Sequence, residues 1–303
     1  MTMHQLERAR SLVRPQREAM LRRDPSVQRF WIENRELLTD AWTEWDDARG
    51  GAPALTDGSL LDHDLRTAVA KAWEDPAAES LVGDLLTEAA PGVFSFQFFD
   101  PDRIAELRQY LEEVWDADIP LRPPYGIVLN RRGAMLDPRS EGHLGAPSFQ
   151  TFYQEVLDTY MRPIARLLFP EITGYDTQTF GFSINYQPST DTSIRPHSDA
   201  SAVTLNINAN LPDETFTGST VDFYDQTTNE VHALTFEPGT AMIHRGHLPH
   251  AAQPITTGER TNLVLWLFGD NGRVPGPGSP EIVPDPAERW TVPNAPQDNY
   301  APF

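Results

Sequence analysis

No cysteine occurs among the 303 residues. That excludes disulfides, thiolate nucleophiles, Cys-ligated zinc and iron–sulfur clusters together, and it fits a reducing cytoplasm. No window approaches the roughly 18 consecutive apolar residues of a membrane span. The first 23 residues are charged and lack the apolar run of a secretory signal, so a soluble, cytoplasmic protein without a membrane partner is expected. Positive charge is scarce: 24 Lys and Arg stand against 44 Asp and Glu, a formal net charge of −20. Phosphate backbones repel such a chain, and no nucleic-acid partner is expected. The acidity serves solubility as well as it serves a preference for cationic substrates.

Proline and glycine, at 27 and 19 residues, are plentiful and divide the chain into three stretches. Residues 1–90 form a helical N-terminal extension by pattern, with Leu6, Leu12, Met20, Phe30, Trp31, Leu38, Trp42 and Trp45 at roughly helical spacing. Gly50, Gly51 and Pro53 break it, and a second helical stretch covers about 65–89. The aromatic residues here read as packing. Residues 91–270 form the main domain. It opens with a strand over 93–99, a helix over 103–115 capped by Asp100-Pro101-Asp102, an extended run over 120–124 and a strand over 125–130. A long helix packed on a sheet follows over 147–169. From residue 177 the texture changes to strands: 177–187, 202–210, 220–224, 231–236, 240–244 and 262–268. Short strands at this density after helices predict an α+β fold, a double-sheet jelly roll buttressed by helices. Residues 271–303 are a Pro-rich tail, either a linker or a cover over the barrel mouth anchored by Trp290, Tyr300 and Phe303.

Chemistry concentrates between residues 195 and 260. In His197-Ser198-Asp199 an imidazole and a carboxylate stand two apart. In an extended segment, residues i and i+2 project to the same side and converge on one ion without distorting the backbone. Such a triplet also arises by chance, so its weight rests on a third ligand. His244, His247 and His250 compete for that place. The segment from His250 to Arg260 favours His250, because Pro254 and Gly258 shape a hairpin with His250 on one arm and Arg260 on the other. A zinc site built from all three histidines needs a continuous helix, which Gly246 and Pro249 oppose. His63 sits in a polar loop and reads as solvated. Two histidines and a carboxylate are the ligand set of a non-haem iron site with one open face. Arg260 then offers a planar two-pronged donor for the far carboxylate of an oxo-dicarboxylic acid such as 2-oxoglutarate, which chelates iron at its other end.

The run Arg195-Pro-His-Ser-Asp-Ala-Ser-Ala-Val-Thr-Leu-Asn resembles the iron(II)- and 2-oxoglutarate-dependent dioxygenases. It is most similar to the catalytic domain of lysyl hydroxylases and their plant and bacterial relatives, with the prolyl 4-hydroxylase group more distant. The resemblance is close over 177–268, looser over 91–268, and does not reach the first 90 residues or the tail. It implies a double-stranded β-helix (cupin-like) core, iron ligands at His197, Asp199 and His250, and Arg260 as partner of the far carboxylate. By the same resemblance Tyr186 falls near that carboxylate and Thr204 lines the co-substrate pocket; the alternatives are a core tyrosine and an ordinary strand threonine. Arg195 either reaches a ligand or lies exposed. One departure stands out. Where the family carries Phe-x-Gly-Gly, this chain has Phe216-Thr217-Gly218-Ser219, which predicts a change on the substrate side.

The resemblance further implies Fe(II), 2-oxoglutarate and O2 as cofactor and co-substrates, with ascorbate as a reductant. The expected reaction is hydroxylation of a C–H bond in an amino acid, peptide or peptide-like metabolite, with release of succinate and CO2. Asp199 disfavours halogenation, since related halogenases replace that carboxylate with a small residue. Desaturation or cyclisation by the same chemistry, a cupin-like metal enzyme without 2-oxoglutarate, and a non-catalytic metal- or acid-binding module are the competing readings. Substrate selection is expected from the loops over 120–145 and 211–220. Substrate identity and oligomeric state stay open.

Overall fold

Strict alternation of side chains in two nine-residue strands organises the molecule. The computed structural model describes residues 4–22, 24–51, 55, 57–121, 134–135, 147–189, 191–268, 274 and 284–293. Its strands are β1 (Thr87–Ala90), β2 (Val93–Gln97), β3 (Ala134–Met135), β4 (Gln178–Tyr186), β5 (Ile194–His197), β6 (Val203–Asn208), β7 (Thr217–Gly218), β8 (Val221–Tyr224), β9 (Val231–Leu234), β10 (Thr240–Arg245), β11 (His250–Ala252), β12 (Ile255–Thr257) and β13 (Arg260–Phe268). Among the described residues they form a seven-stranded sheet, β1-β2-β10-β6-β13-β4-β3, and a four-stranded sheet, β5-β11-β8-β9. β7 and β12 make a separate small pair. From β4 to β13 the chain passes back and forth between the two larger sheets. That winding is the double-stranded β-helix, or jelly roll.

Period-2 alternation gives the large sheet two different faces. Leu263, Leu265 and Leu267 of β13, with Val203, Leu205 and Ile207 of β6, join the same core as Trp31, Trp42, Leu65, Phe152 and Ile164 of the helices. Each of these leucines contributes roughly 2 kcal/mol by leaving water. The opposite face carries Phe180, Phe182, Tyr186, Val264 and Trp266 and looks toward the small sheet. Helices therefore cover one side of the large sheet, and the site lies on the other.

Local chemistry sets the helix ends. Asp62 caps His63–Glu74 by accepting from Leu65 N at 2.9 Å. His63 is exposed, at the first position of this helix rather than in a loop. Gly50, at φ 75°, ends Arg35–Arg49 in the left-handed region. The predicted long helix runs from Pro147 to Leu168 with a π-helical stretch at Val156–Met161. Pro163 lacks the N–H that would meet the Thr159 carbonyl, and Trp73 Nε1 donates to that carbonyl at 2.9 Å instead.

Some expectations change. Residues 87–90, expected as helix, form β1 and pair with β2 in the large sheet. β5 and β11 are not among the expected strands, being three or four residues long and carrying histidine and proline. Residues 284–293 pack on the helices and not over the barrel. Arg166 Nη1 donates to the carbonyls of Arg289 and Thr291, and Trp290 sits edge-on to Trp73 with its Nε1 on Glu79. Tyr300, Phe303 and the expected strand at 125–130 lie outside the described residues. No helix among the described residues is long and apolar enough to cross a membrane.

Candidate metal and co-substrate site

β5 and β11 are antiparallel neighbours, and their register sets His197 opposite His250. The two imidazole centroids are 4.4 Å apart. Each Nδ1–H donates to a backbone carbonyl two residues back, His197 to Arg195 at 2.9 Å and His250 to Leu248 at 3.0 Å. That fixes the tautomer and turns both Nε2 lone pairs to the same place. Asp199 closes the set, with Oδ1 3.6 Å from His197 Nε2 and Oδ2 3.8 Å from His250 Nε2. The three ligand atoms lie within 4.8 Å of one another. Donors about 2.1 Å from a common ion stand roughly 3 Å apart at right angles, so a small contraction completes the site. The residues present fit a divalent metal.

Asp199 is held from two directions. Its N–H donates to Gly246 O at 2.8 Å, and Thr204 Oγ1 donates to its Oδ2 at 2.6 Å. Ser201 Oγ lies 2.9 Å from Thr204 Oγ1, which extends the chain of hydroxyls. Thr204 thus reaches the metal site through the ligand carboxylate. A Cβ on Gly246 would collide with the Ser201 carbonyl, so only glycine lets these two loops meet. His244 and His247 stand outside the ligand group. His244 is buried on β10 with its ring 4.9 Å from that of His250. Burial, then the neighbouring His250, pulls its pKa down to about 4. Burial also lowers the pKa of His197, with His250 adding to the shift.

Arg260 approaches from the other sheet. The expected hairpin does not form: β11 pairs with β5 and β8, β13 pairs with β4 and β6, and the turn between them carries the chain across the barrel. β12 docks on β7 in between, which prevents β11 and β13 from closing on each other. Arg260 is 1 % exposed. Its guanidinium carbon lies 4.3 Å from the ring of Tyr186, its partner across β4, and 5.4 Å from that of Phe236. Nη1 donates to Ser219 O at 2.6 Å, and Nε has no hydrogen-bond partner among the described residues. Among the described residues no carboxylate lies within ion-pair distance. Burial lowers the pKa of Arg260 and raises that of Tyr186. A buried cation without a counter-ion is costly, and an anionic ligand would relieve it.

Two residues that sequence reasoning passed over, Asn206 and Asn208, line the space between. They share one face of β6 with Thr204, opposite Val264, Asn262 and Trp266 of β13. Asn206 is half-buried and accepts from Asn262 Nδ2 at 2.7 Å. Their signal was present: polar residues at period 2 within an otherwise apolar strand. Ser219, the departure from Phe-x-Gly-Gly, lies at the Arg260 end, where its carbonyl holds the guanidinium. Arg195 is exposed.

No family model matches the chain. It is 27 % identical over 266 residues to the 2-oxoglutarate and iron-dependent oxygenase domain-containing protein ICU11 of Arabidopsis thaliana, covering 82 % of this chain and 62 % of that protein. It is 30 % identical over 228 residues to the 2-oxoglutarate and iron-dependent oxygenase domain-containing protein 2 of Xenopus tropicalis, covering 71 % and 60 %. The chain is a homologue of the 2-oxoglutarate- and iron-dependent oxygenases. Rat procollagen-lysine,2-oxoglutarate 5-dioxygenase 1 matches this oxygenase homologue at 26 % over 201 residues, 63 % of the chain and 26 % of the enzyme. Among solved structures, a prolyl hydroxylase of Trichoplax adhaerens in complex with a hypoxia-inducible-factor peptide aligns with 67 % of the oxygenase homologue and 94 % of its own length. The TM-score is 0.49 at 14 % identity. The chain spans less than two thirds of the length of the first relatives named.

Proposed function

We propose that this chain is an Fe(II)- and 2-oxoglutarate-dependent oxygenase that hydroxylates a C–H bond of an amino acid, peptide or peptide-like metabolite. One observation carries the reading: a two-histidine, one-carboxylate cluster faces, across the barrel, a buried arginine that has no carboxylate partner among the described residues. A purely structural metal site has no use for that arginine. In this reading His197, Asp199 and His250 hold iron, and Arg260 holds the far carboxylate of 2-oxoglutarate. When bound, iron and 2-oxoglutarate supply oxidative decarboxylation that activates dioxygen, giving succinate, CO2 and a hydroxylated product.

The chain's own residues then orient and exclude. The Arg195 and Leu248 carbonyls keep both ligand imidazoles in the Nδ1–H tautomer. Thr204 aims the Asp199 carboxylate. Tyr186, stacked under Arg260, keeps water from the guanidinium, so that its attraction for a carboxylate acts at low dielectric. We assign the catalytic unit to residues 91–270, with residues 1–90 as a helical extension sharing its core. The reading includes a cytoplasmic setting.

Anaerobic titration with Fe(II) and then 2-oxoglutarate tests it. A visible metal-to-ligand charge-transfer band is expected from the wild type and not from Asp199→Ala. Folded, iron-loaded protein without the band would sink the oxygenase reading in favour of a cupin-like binding module.

A further inference from the structure

Ser219 occupies a place that glycine would fill at lower cost. Its φ is 56°, in the left-handed region, directly after Gly218 at 74°. Only two other non-glycine residues among those described have positive φ, Asp118 and Asn229, and both have side chains that tolerate that region. Serine is less suited. It is also buried, at 1 % exposure. Its N–H donates to Pro254 O at 3.0 Å and its carbonyl takes Arg260 Nη1 at 2.6 Å. The hydroxyl has no hydrogen-bond partner among the described residues. Glycine would remove both the backbone strain and the orphaned hydroxyl. Strain and unmet hydrogen bonding at one buried residue gather where a ligand completes the structure.

What surrounds Ser219 names that ligand's chemistry. Arg260, one hydrogen bond away, is a buried cation with its Nε unpartnered and no carboxylate beside it among the described residues. An orphaned hydroxyl can donate, and a guanidinium can only donate. A carboxylate, the far end of the co-substrate in the reading above, accepts from both and carries negative charge: it offers about four lone-pair sites, of which an arginine fork takes two.

We propose that Ser219 is a second anchor for the far carboxylate of the oxo-acid co-substrate. Its hydroxyl donates to that group beside Arg260, so Ser219 helps the site select a dicarboxylic over a monocarboxylic 2-oxo acid. This rests on the oxygenase reading above.

The test compares wild type, Ser219→Gly and Ser219→Ala in anaerobic Fe(II) titrations with 2-oxoglutarate and with 2-oxobutyrate, which lacks the far carboxylate. The charge-transfer band gives affinity without turnover. Both variants are expected to bind 2-oxoglutarate about tenfold more weakly, as for a lost hydrogen bond to a charged group, and 2-oxobutyrate within about twofold of wild type. Ser219→Gly should melt at or above the wild-type temperature and Ser219→Ala, which keeps the strain, below Ser219→Gly. Unchanged 2-oxoglutarate affinity in Ser219→Gly overturns the proposal, as does an equal loss for both acids, which would mean a general loosening of the site. If the wild type itself binds neither acid, the oxygenase reading falls first and takes this inference with it.

Discussion

Thr204→Val tests how the metal site is held together. Valine keeps the shape of threonine and removes one hydroxyl. In the structure that hydroxyl donates to Asp199 Oδ2 at 2.6 Å and meets Ser201 Oγ at 2.9 Å. The variant therefore leaves two buried groups short of a partner. The Asp199 side chain is 7 % exposed and Ser201 is buried, so water does not replace what is lost. Orphaning such groups costs about 1–3 kcal/mol of folding stability. The cost to metal binding is separate, because the bond to Asp199 exists with or without metal. What is lost there is the aim of the carboxylate, and removing such partners typically weakens metal affinity about 10–100-fold. Anaerobic calorimetry with Fe(II), or with Co(II) as a redox-stable substitute, gives the affinity, and a thermal melt of the metal-free protein gives the stability. Thr204→Ser should restore both. A Thr204→Val protein that binds metal within twofold of wild type would refute the idea that Asp199 is aimed through Thr204.

Three further perturbations probe other parts of the site. Arg260→Met removes a buried cation that donates to Ser219 O and pairs with the Tyr186 side chain. Stability without co-substrate should change by no more than about 1 kcal/mol, because relief of desolvation offsets the lost bond, while 2-oxoglutarate affinity falls about 100-fold or more; undiminished affinity in the titration would remove Arg260 from the co-substrate site. Gly246→Ala drives a Cβ into the Ser201 carbonyl and breaks the bond from Asp199 N–H to Gly246 O; metal affinity should fall at least about tenfold with a lower melting temperature, and wild-type metal binding would contradict the packing described. The third concerns pH. His244 has a folded pKa of about 4, below its ordinary unfolded value of about 6.5. Between these values the unfolded chain binds more protons, so stability rises with pH across the window and is lost as pH falls from about 6.5 to about 4. The loss from His244 is up to about 3 kcal/mol, and His197 and His247 act in the same direction. Urea melts of metal-free protein at pH 7 and pH 5 should show the loss, and His244→Gln should reduce it; equal losses in both proteins would assign it elsewhere.

Much of this protein is local in origin and can be read from the chain alone. The two long strands are visible as pattern: Phe180, Phe182, Ile184 and Tyr186 alternate with small or polar residues, and 263–268 is an unbroken apolar run, as for a strand buried on both faces. His197 and Asp199 stand two apart, so the pair is legible as candidate ligands, although Gly246 and Thr204 hold Asp199 in place in the fold. Helix signals such as Asp62 and Gly50 act over three or four residues. Tertiary structure decided everything that depends on which strands are neighbours. His250 joins the cluster because β11 lies hydrogen-bonded beside β5, while His244, six residues earlier, belongs to β10 in the other sheet. Arg260 faces the site from across the barrel, not along a hairpin. Ser219 finds Arg260, 41 residues further along the chain, only when segments distant in sequence are brought together. Strand partners are chosen by long-range packing of whole faces, and short strands carry too little local preference to announce them.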